Sequence, residues 1–207
     1  MGVTCQALLR NHARIWQQGI EHPFLRQCQQ GTIQPVQFDT WLVQDYLFVQ
    51  EFTRMLARVL GAAPFHHFPV LLNGLAALKE ELAWFELKAT ERQLELDVPQ
   101  QSTCQQYGEF MASLCTTPYP VQVTALWAIE YAYNQGWQLP GPMPEPYAEF
   151  AARWGNPGFT EYVNQLAQQA DEVLAETSAM TQRQAEAAFL RVATLERDFW
   201  QMAFSAG

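Results

Sequence analysis

The feature that most constrains this chain is a long series of hydrophobic residues, spaced three or four apart, between Pro35 and Gly61. Side chains at that spacing share one face of an α-helix. The series predicts a helix of about 27 residues, roughly 40 Å long at 1.5 Å per residue. Helical spacing recurs along almost the whole chain, whereas the strict alternation typical of strands is absent. We therefore predict an all-α protein of about seven to nine helices, folded as a single domain over residues 1–207.

Proline, glycine and capping residues mark the predicted helix boundaries. We expect the first helix to run from about Thr4 to Gln18 and to stop at Gly19. Further helices are predicted over residues 23–31, 35–61, 69–91, 121–136, 158–176 and 181–204, with shorter ones around 107–114 and before 153. Residues 137–147 contain four prolines and predict a loop. The predicted N-terminal caps and capping boxes are Thr103 with Gln106, Asn156 with Pro157, and Thr181 with Gln184.

Four acidic residues lie on the apolar faces of four different predicted helices: Asp45, Glu81, Glu130 and Glu196. Burying an unpaired carboxylate costs several kcal/mol or forces it to take up a proton. For any one of them, the alternative is a partly exposed residue or a core group paired with Arg or Tyr. Four such positions instead predict a polar site inside a helical bundle, where paired carboxylates can perform acid–base chemistry.

Charge and cysteine content exclude several classes of function. The net charge is −9 with only 12 Lys and Arg, so we predict binding neither to nucleic acid nor to a membrane surface. No apolar run of membrane-spanning length occurs, and the N-terminus does not resemble a signal peptide. The four cysteines form no Cys-x-x-Cys pair, which predicts reduced thiols and a cytoplasmic location. Cys104 flanks a predicted helix start, where a thiol pKa can fall, but we interpret all four cysteines as structural.

The histidine pattern argues against a bound metal. A di-metal site in a helical bundle usually needs Glu-x-x-His twice, and this sequence contains no such motif. All histidines lie in the first third of the chain: His12, His22, His66 and His67. We predict no metal and no cofactor, although a histidine-free carboxylate site for Mg or Mn stays open.

Three segments resemble the TenA (thiaminase II) family. They are Ile20–Leu25 (IEHPFL) with the following Gly31-Thr32-Ile33, the segment 38–46, and the segment 195–203 near the C-terminus (LERDFWQMA). The resemblance implies a haem-oxygenase-like helical bundle, commonly assembled as a homotetramer. It also implies salvage of degraded thiamin, in which an aminomethylpyrimidine or its formylamino form is hydrolysed to hydroxymethylpyrimidine.

The resemblance assigns roles to individual residues. Asp45 matches the aspartate that binds the amine and ring nitrogen of the pyrimidine, and Tyr107 matches the tyrosine beside the ring. Glu196 matches the acid–base glutamate of the last helix. Trp154 falls where many members have a tyrosine.

One departure from the family pattern changes the expected chemistry. Leu126 occupies the position of the nucleophilic cysteine, and Glu130 lies one turn later on the same face. This resembles the cysteine-less, E-class branch with its Trp-Ala-Ile-Glu motif. Leucine cannot attack a carbon atom. We therefore expect Glu130 or Glu196 to activate a water molecule while another acid protonates the departing amine.

Phe48, Glu81 and Leu126 complete the predicted substrate-binding set, while Glu196, Glu130 and Asp45 form the predicted catalytic set. The expected partners are a small pyrimidine substrate and further copies of the chain, as a dimer or tetramer. Two alternatives remain. The chain could bind the pyrimidine without turning it over, or it could be an enzyme of the same fold with another substrate in cofactor metabolism.

Overall fold

The computed structural model describes residues 2–207 and contains ten α-helices in that range, with no strand. The all-α prediction is confirmed, although the predicted number of helices was too low. The helices are α1 (Cys5–Asn11), α2 (Ala13–Ile20), α3 (Pro23–Gln30), α4 (Pro35–Ala62), α5 (Phe68–Glu91), α6 (Ser102–Ser113), α7 (Tyr119–Gln138), α8 (Ala148–Trp154), α9 (Pro157–Ala175) and α10 (Ala179–Phe204). Two short 3₁₀ helices span Phe65–His67 and Leu114–Thr116.

The helices are distributed over two compact units, each with its own core. Unit 1 comprises Met1–Ile33 and Pro120–Gln201, and unit 2 comprises Gln34–Tyr119 and Met202–Gly207. Unit 1 therefore holds α1 to α3, α8, α9 and most of α7 and α10, whereas unit 2 holds α4 to α6. The prediction of a single domain over residues 1–207 stays a prediction.

The core of unit 1 is built around α7, which is buried on every face from Val121 to Glu130. A helix that is buried all round is covered by other segments on every side. Four aromatic rings from three helices pack nearly parallel at one end of this core. Trp16 lies 5.0 Å from Phe189 and 5.7 Å from Tyr131, with interplanar angles of 15° and 16°. Trp127 stacks on Tyr131 at 5.6 Å.

The core of unit 2 is formed by α4, α5 and α6, and a short connector joins the last two. Arg92, directly after α5, donates to Asp39 on α4 at 2.6 Å and lies 5.1 Å above the Phe38 ring. Gln44 holds the other end of the connector. Its side-chain amide donates to the Pro99 carbonyl at 3.3 Å, and its side-chain oxygen accepts from the Gln101 amide at 2.7 Å.

Several predicted boundaries are confirmed because they depend on local chemistry. Pro23 opens α3, and Gly31 ends it in the left-handed conformation at φ 67°. The Asn156 side chain caps α9 by accepting from the Phe159 amide at 2.9 Å, and Pro157 occupies the first turn. Most other ends lie within about two residues of their predicted positions, such as Ala62 instead of Gly61 for α4.

The predicted first helix was wrong in two respects. The chain breaks at His12 into α1 and α2, and Gly19 lies inside α2 instead of ending it. A Cβ atom on Gly19 would lie 3.2 Å from the Ala193 carbonyl oxygen and 3.3 Å from the Glu196 Cβ. The glycine therefore permits close packing of α2 on α10, so its role is tertiary rather than terminal.

Both predicted capping boxes were also wrong. Helix α6 begins at Ser102 after the cap residue Gln101, so Thr103 already lies in its first turn. Helix α10 begins at Ala179, and the Ser178 hydroxyl accepts from the Thr181 amide at 3.2 Å. The two helices therefore begin two and three positions earlier than the motifs suggested, after Gln101 and after Ser178.

No helix among residues 2–207 combines the length and the hydropathy that crossing a bilayer requires.

Candidate active site

Unit 1 buries two of the predicted catalytic carboxylates. Glu196 on α10 is 1% exposed, and Glu130 on α7 is 8% exposed. Both lie among apolar neighbours at helical spacing, as the sequence predicted. Removing a carboxylate this completely from water has a large energetic cost, which structural side chains rarely incur without a role.

The helix faces that carry these two glutamates pack against each other through aromatic rings. Tyr133 follows Glu130 by one turn, Trp200 follows Glu196 by one turn, and their ring centroids are 5.6 Å apart. Trp137, one turn further along α7, meets Trp200 edge to face at 6.0 Å. These contacts fix the relative rotation of α7 and α10 and thus the directions in which both glutamates project.

A third helix restricts Glu196 directly. The Cβ atom that Gly19 lacks would stand 3.3 Å from the Glu196 Cβ, so α2 lies against the base of this side chain. An alanine at this position would require α2 and α10 to move apart by a few tenths of an ångström. The sequence offered only an ambiguous signal here, because a glycine near a helix end is also a common stop.

Trp154, the residue at the family tyrosine position, is buried beside the same aromatic group. Its ring meets Tyr133 edge to face at 5.7 Å and an angle of 77°. The buried Asn134 amide donates to the Trp154 carbonyl at 2.8 Å and to the Thr160 hydroxyl at 3.1 Å. Helix α7 therefore positions the junction between α8 and α9. Leu126, one turn before Glu130, is fully buried.

Unit 2 buries the predicted ring-binding acid. Asp45 on α4 is fully buried, and its neighbour across the helix pair is Cys104 on α6. Burial and then the nearby charge of Asp45 raise the pKa of the Cys104 thiol to about 12. The neutral thiol donates to the Gln44 carbonyl at 3.4 Å. Cys104 thus supports α4 beside Asp45, and burial outweighs any effect of the nearby helix start on the thiol pKa.

Two further predicted residues contact each other in unit 2. The rings of Phe48 on α4 and Tyr107 on α6 are 4.8 Å apart at 58°, and both side chains are buried. Phe48 lies about one turn after Asp45, so this ring pair is on the same face as the acid. Glu81 on α5 is only half-buried, and its role in binding stays a prediction.

None of the buried cysteines is activated. Burial, followed by the nearby Asp171, raises the pKa of Cys5, and burial alone raises that of Cys28. Only Cys115 is exposed, in the 3₁₀ helix Leu114–Thr116, and all four thiols are free. A thiol must lose its proton to act as a nucleophile, so these surroundings oppose that role for Cys5, Cys28 and Cys104.

Three of the histidines are engaged in hydrogen bonds within the protein, and the first, His12, pairs its Nε2 with a Glu186 oxygen at 2.6 Å. His22 caps α3, with its Nδ1 accepting from the Phe24 amide at 3.1 Å. His67 Nδ1 shares a hydrogen bond of 2.7 Å with the Tyr119 hydroxyl. The predicted absence of a metal stays a prediction.

Comparison with known proteins identifies the family. The family model described as TENA/THI-4/PQQC matches residues 9–206 of the chain. The chain belongs to this family. The TENA/THI-4/PQQC match covers both units and every predicted site residue, so the resemblance derived from the sequence is confirmed at family level.

Two relatives and one solved structure are similar to the chain over most of its length. A soybean (Glycine max) protein named "Probable bifunctional TENA-E protein" is 33% identical over 98% of this chain and 93% of its own length. A protein from Halalkalibacterium halodurans named "Aminopyrimidine aminohydrolase" is 26% identical over 92% of this chain and 91% of its own. The crystal structure of a TenA homologue from Pyrococcus furiosus superposes with a TM-score of 0.91 at 27% identity, covering 96% of this chain and 98% of the other.

Proposed function

We propose that this chain is an aminopyrimidine hydrolase of thiamin salvage that belongs to the cysteine-less, E-class branch of its family. The names of two relatives support this proposal. One is a TENA-E protein that matches nearly the whole chain, and the other is an aminopyrimidine aminohydrolase. We infer the substrate class and the family branch of this chain from these names together with the residues of the site.

The observation that carries the proposal is the pairing of Leu126 with Glu130 on α7. The resemblance places the family nucleophile at position 126, where a fully buried leucine offers no reactive atom. One turn later, Glu130 is buried at 8% exposure. A chain that replaces a thiol with hydrocarbon and buries a carboxylate beside it needs a mechanism based on proton transfer rather than on a thiolate.

In the proposed reaction, the oxygen of water bonds to the exocyclic methylene carbon of the aminomethylpyrimidine as its carbon–nitrogen bond breaks. Glu130 or Glu196 accepts a proton from the water, and another acid donates a proton to the departing nitrogen. The products are hydroxymethylpyrimidine and ammonia. Protonation is essential because an unprotonated amine is a very poor leaving group. A glutamate that attacks the carbon itself is the less favoured alternative.

The remaining predicted residues bind the substrate in this proposal. Asp45 accepts hydrogen bonds from the pyrimidine amine and a protonated ring nitrogen, and the Phe48–Tyr107 ring pair offers a surface for the heteroaromatic ring. Trp154 and Leu126 are assigned to substrate contact by their positions in the resemblance, and Glu81 by its place on an apolar helix face. The resemblance also implies a homo-oligomer, which light scattering during gel filtration would test, and the cysteine pattern predicts a cytoplasmic location.

A turnover assay tests the activity. Purified protein is incubated separately with aminomethylpyrimidine, formylaminomethylpyrimidine and thiamin, and hydroxymethylpyrimidine is quantified by mass spectrometry. We expect product from the first two and little from thiamin. Saturable binding of the pyrimidines without any product would overturn the enzymatic proposal and leave a binding protein.

A single-turnover experiment in ¹⁸O-labelled water separates the two carboxylate mechanisms. Direct attack by water places ¹⁸O in the hydroxymethyl group. An ester to a glutamate, hydrolysed at its carbonyl carbon, would instead deliver an unlabelled carboxylate oxygen to the product of the first turnover. We expect labelled product.

A further inference from the structure

Unit 1 carries a surface groove that the proposed function does not use. The groove has a volume of about 460 Å³ and lies where α2, the start of α3 and the end of α10 meet. We call it the arginine groove. Its lining residues are Arg14, Gln17, Gln18, Glu21, His22, Pro23, Arg26, Arg197 and Gln201.

The arginine groove is positively charged in a strongly acidic protein. Three of the 12 Lys and Arg residues of the chain line it, although the net charge of the chain is −9. Glu21 is the acidic side chain of the lining, which therefore has a formal charge of about +2. Asp198, beside the groove, partly offsets Arg197 by pairing with it at 2.7 Å in an exposed ion pair.

Hydrogen bonds to the protein hold two of the arginines in place. Arg26 donates from Nη2 to the Glu21 carbonyl at 2.9 Å. Arg197 donates from Nε and Nη2 to one Asp198 oxygen at 2.9 and 2.7 Å. A guanidinium group has five N–H donors, so each retains donors beyond these bonds. Such a fork, held in position before binding, loses less conformational entropy when an anion arrives.

His22, a neutral residue of the lining, lies near two of the arginines. Its Nδ1 accepts from the Phe24 amide, which assigns the proton of the neutral ring to Nε2 and lets it donate to Gln201 at 3.3 Å. Burial lowers the pKa of His22, and the nearby charges of Arg26 and Arg197 lower it further. The charges of both guanidinium groups therefore reach the ring of His22.

We propose that the arginine groove binds the phosphate or diphosphate group of a small molecule. Arginine forks match the oxygens of a tetrahedral oxyanion in paired hydrogen bonds, and the exposed side-chain amides of Gln17 and Gln18 add polar groups to the lining. The small volume and the acidic remainder of the chain favour a compact anion over a nucleic acid. A diphosphate, with more charge, binds more tightly than a single phosphate.

The test uses inorganic pyrophosphate and inorganic phosphate as probes in calorimetry and ³¹P NMR with the full-length chain. The double variant Arg14→Gln/Arg26→Gln removes two exposed arginines of the groove. The matched control Arg183→Gln/Arg191→Gln removes the same charge from exposed positions of α10 that do not line it. Circular dichroism verifies that both variants fold.

We expect millimolar or tighter pyrophosphate binding that weakens as salt rises, because screening reduces an electrostatic interaction. The groove variant should bind at least about tenfold more weakly, while the control changes affinity by less than about twofold. Three results would each overturn the proposal. They are no binding of either probe to the unmodified protein, an equal loss in both variants, and tighter binding of a polyglutamate peptide than of pyrophosphate.

Discussion

The buried acids of unit 1 and unit 2 have different surroundings. In unit 1, Glu130 and Glu196 lie on helix faces joined by the rings of Tyr133 and Trp200. In unit 2, Asp45 lies beside a neutral thiol and next to Gln44, whose side chain is fixed by two hydrogen bonds to the connector. Aromatic rings lie near the acids of both units, since Phe48 and Tyr107 pack on the face of α4 that carries Asp45, but only Asp45 also has a thiol and a fixed side-chain amide nearby.

This difference suggests a division of labour between the acids. Apolar surroundings disfavour a lasting negative charge, so a carboxylate there readily exchanges a proton with substrate or water. Asp45 has the thiol and the fixed amide of Gln44 nearby, and the resemblance assigns it to hydrogen bonds with the pyrimidine amine and ring nitrogen, a role in binding rather than in proton transfer. We therefore expect the glutamates of unit 1 to govern the rate of catalysis and Asp45 to govern the affinity for substrate.

The largest effect should come from Glu196→Gln, which removes the proton acceptor but keeps the shape. We expect kcat to fall by about 10²- to 10⁴-fold, with little change in pyrimidine affinity, because proton transfer contributes on this scale. Turnover assays and calorimetry measure the two quantities. Glu161→Gln, an exposed glutamate of α9, is the control and should retain its rate. Normal turnover by the Glu196 variant would show that Glu196 is not an acid–base residue of the reaction.

Asp45→Asn should lower the affinity for substrate more than it lowers the rate of catalysis. A hydrogen bond to a charged group contributes about 1.5–3 kcal/mol, so we expect the affinity for the aminopyrimidine to fall by roughly 10- to 100-fold. The value of kcat at saturation should change much less. Asp97→Asn, in the exposed connector, provides the control. If Asp45→Asn lowers kcat alone, the proposed contrast between the two units is wrong.

Asn134→Ala tests whether the hydrogen bond from Asn134 holds Trp154 in place within the aromatic group of unit 1. The change leaves the buried Trp154 carbonyl without its donor, whereas the Thr160 hydroxyl keeps the bond from the Gln138 amide, and the loss should cost about 1–3 kcal/mol in the free energy of unfolding. Because Trp154 loses its anchor, turnover should also fall. Removal of the Asn156 cap by Asn156→Ala should cost about 1 kcal/mol. Urea unfolding measures the stability of both variants, and turnover assays measure their rates. If Asn156→Ala affects stability and rate as much as Asn134→Ala does, Asn134 has no specific positioning role.

The smallest expected effect is the change in stability caused by Gly19→Ala. In an open helical position, Gly→Ala raises the free energy of unfolding by up to about 1 kcal/mol, as expected for Gly61→Ala, where a Cβ meets no atom within 4 Å. Gly19→Ala should gain less or lose stability, because its Cβ meets the Ala193 carbonyl at 3.2 Å. Thermal unfolding of both variants makes the comparison. An equal gain in both would show that α2 and α10 are not closely packed at Glu196.

The sequence predicted features that depend on neighbours along the chain. Burial of Asp45, Glu130 and Glu196 followed from helical spacing, and the Asn156 cap followed from a local hydrogen bond. Features that depend on distant segments were not predictable. Gly19 could not be recognised as a contact with α10, because the contact partner is remote in sequence.

The same limit applies to the polar support of the site. Nothing in the local sequence shows that Cys104 lies beside Asp45, or that Asn134 holds the carbonyl of Trp154. The break at His12 was also missed, because neither glycine nor proline marks it. Each of these features is determined by packing between helices, which spacing within one helix does not describe.

The measurement that tests the central claim most directly is turnover by four single variants: Cys5→Ala, Cys28→Ala, Cys104→Ala and Cys115→Ser. Circular dichroism and gel filtration first establish which of them are folded. If carboxylates rather than thiols perform the chemistry, every folded variant should form hydroxymethylpyrimidine from the aminomethyl substrate at a rate within about tenfold of the unmodified protein. Loss of turnover in a folded variant that still binds the pyrimidine would contradict the account and identify that cysteine as the nucleophile.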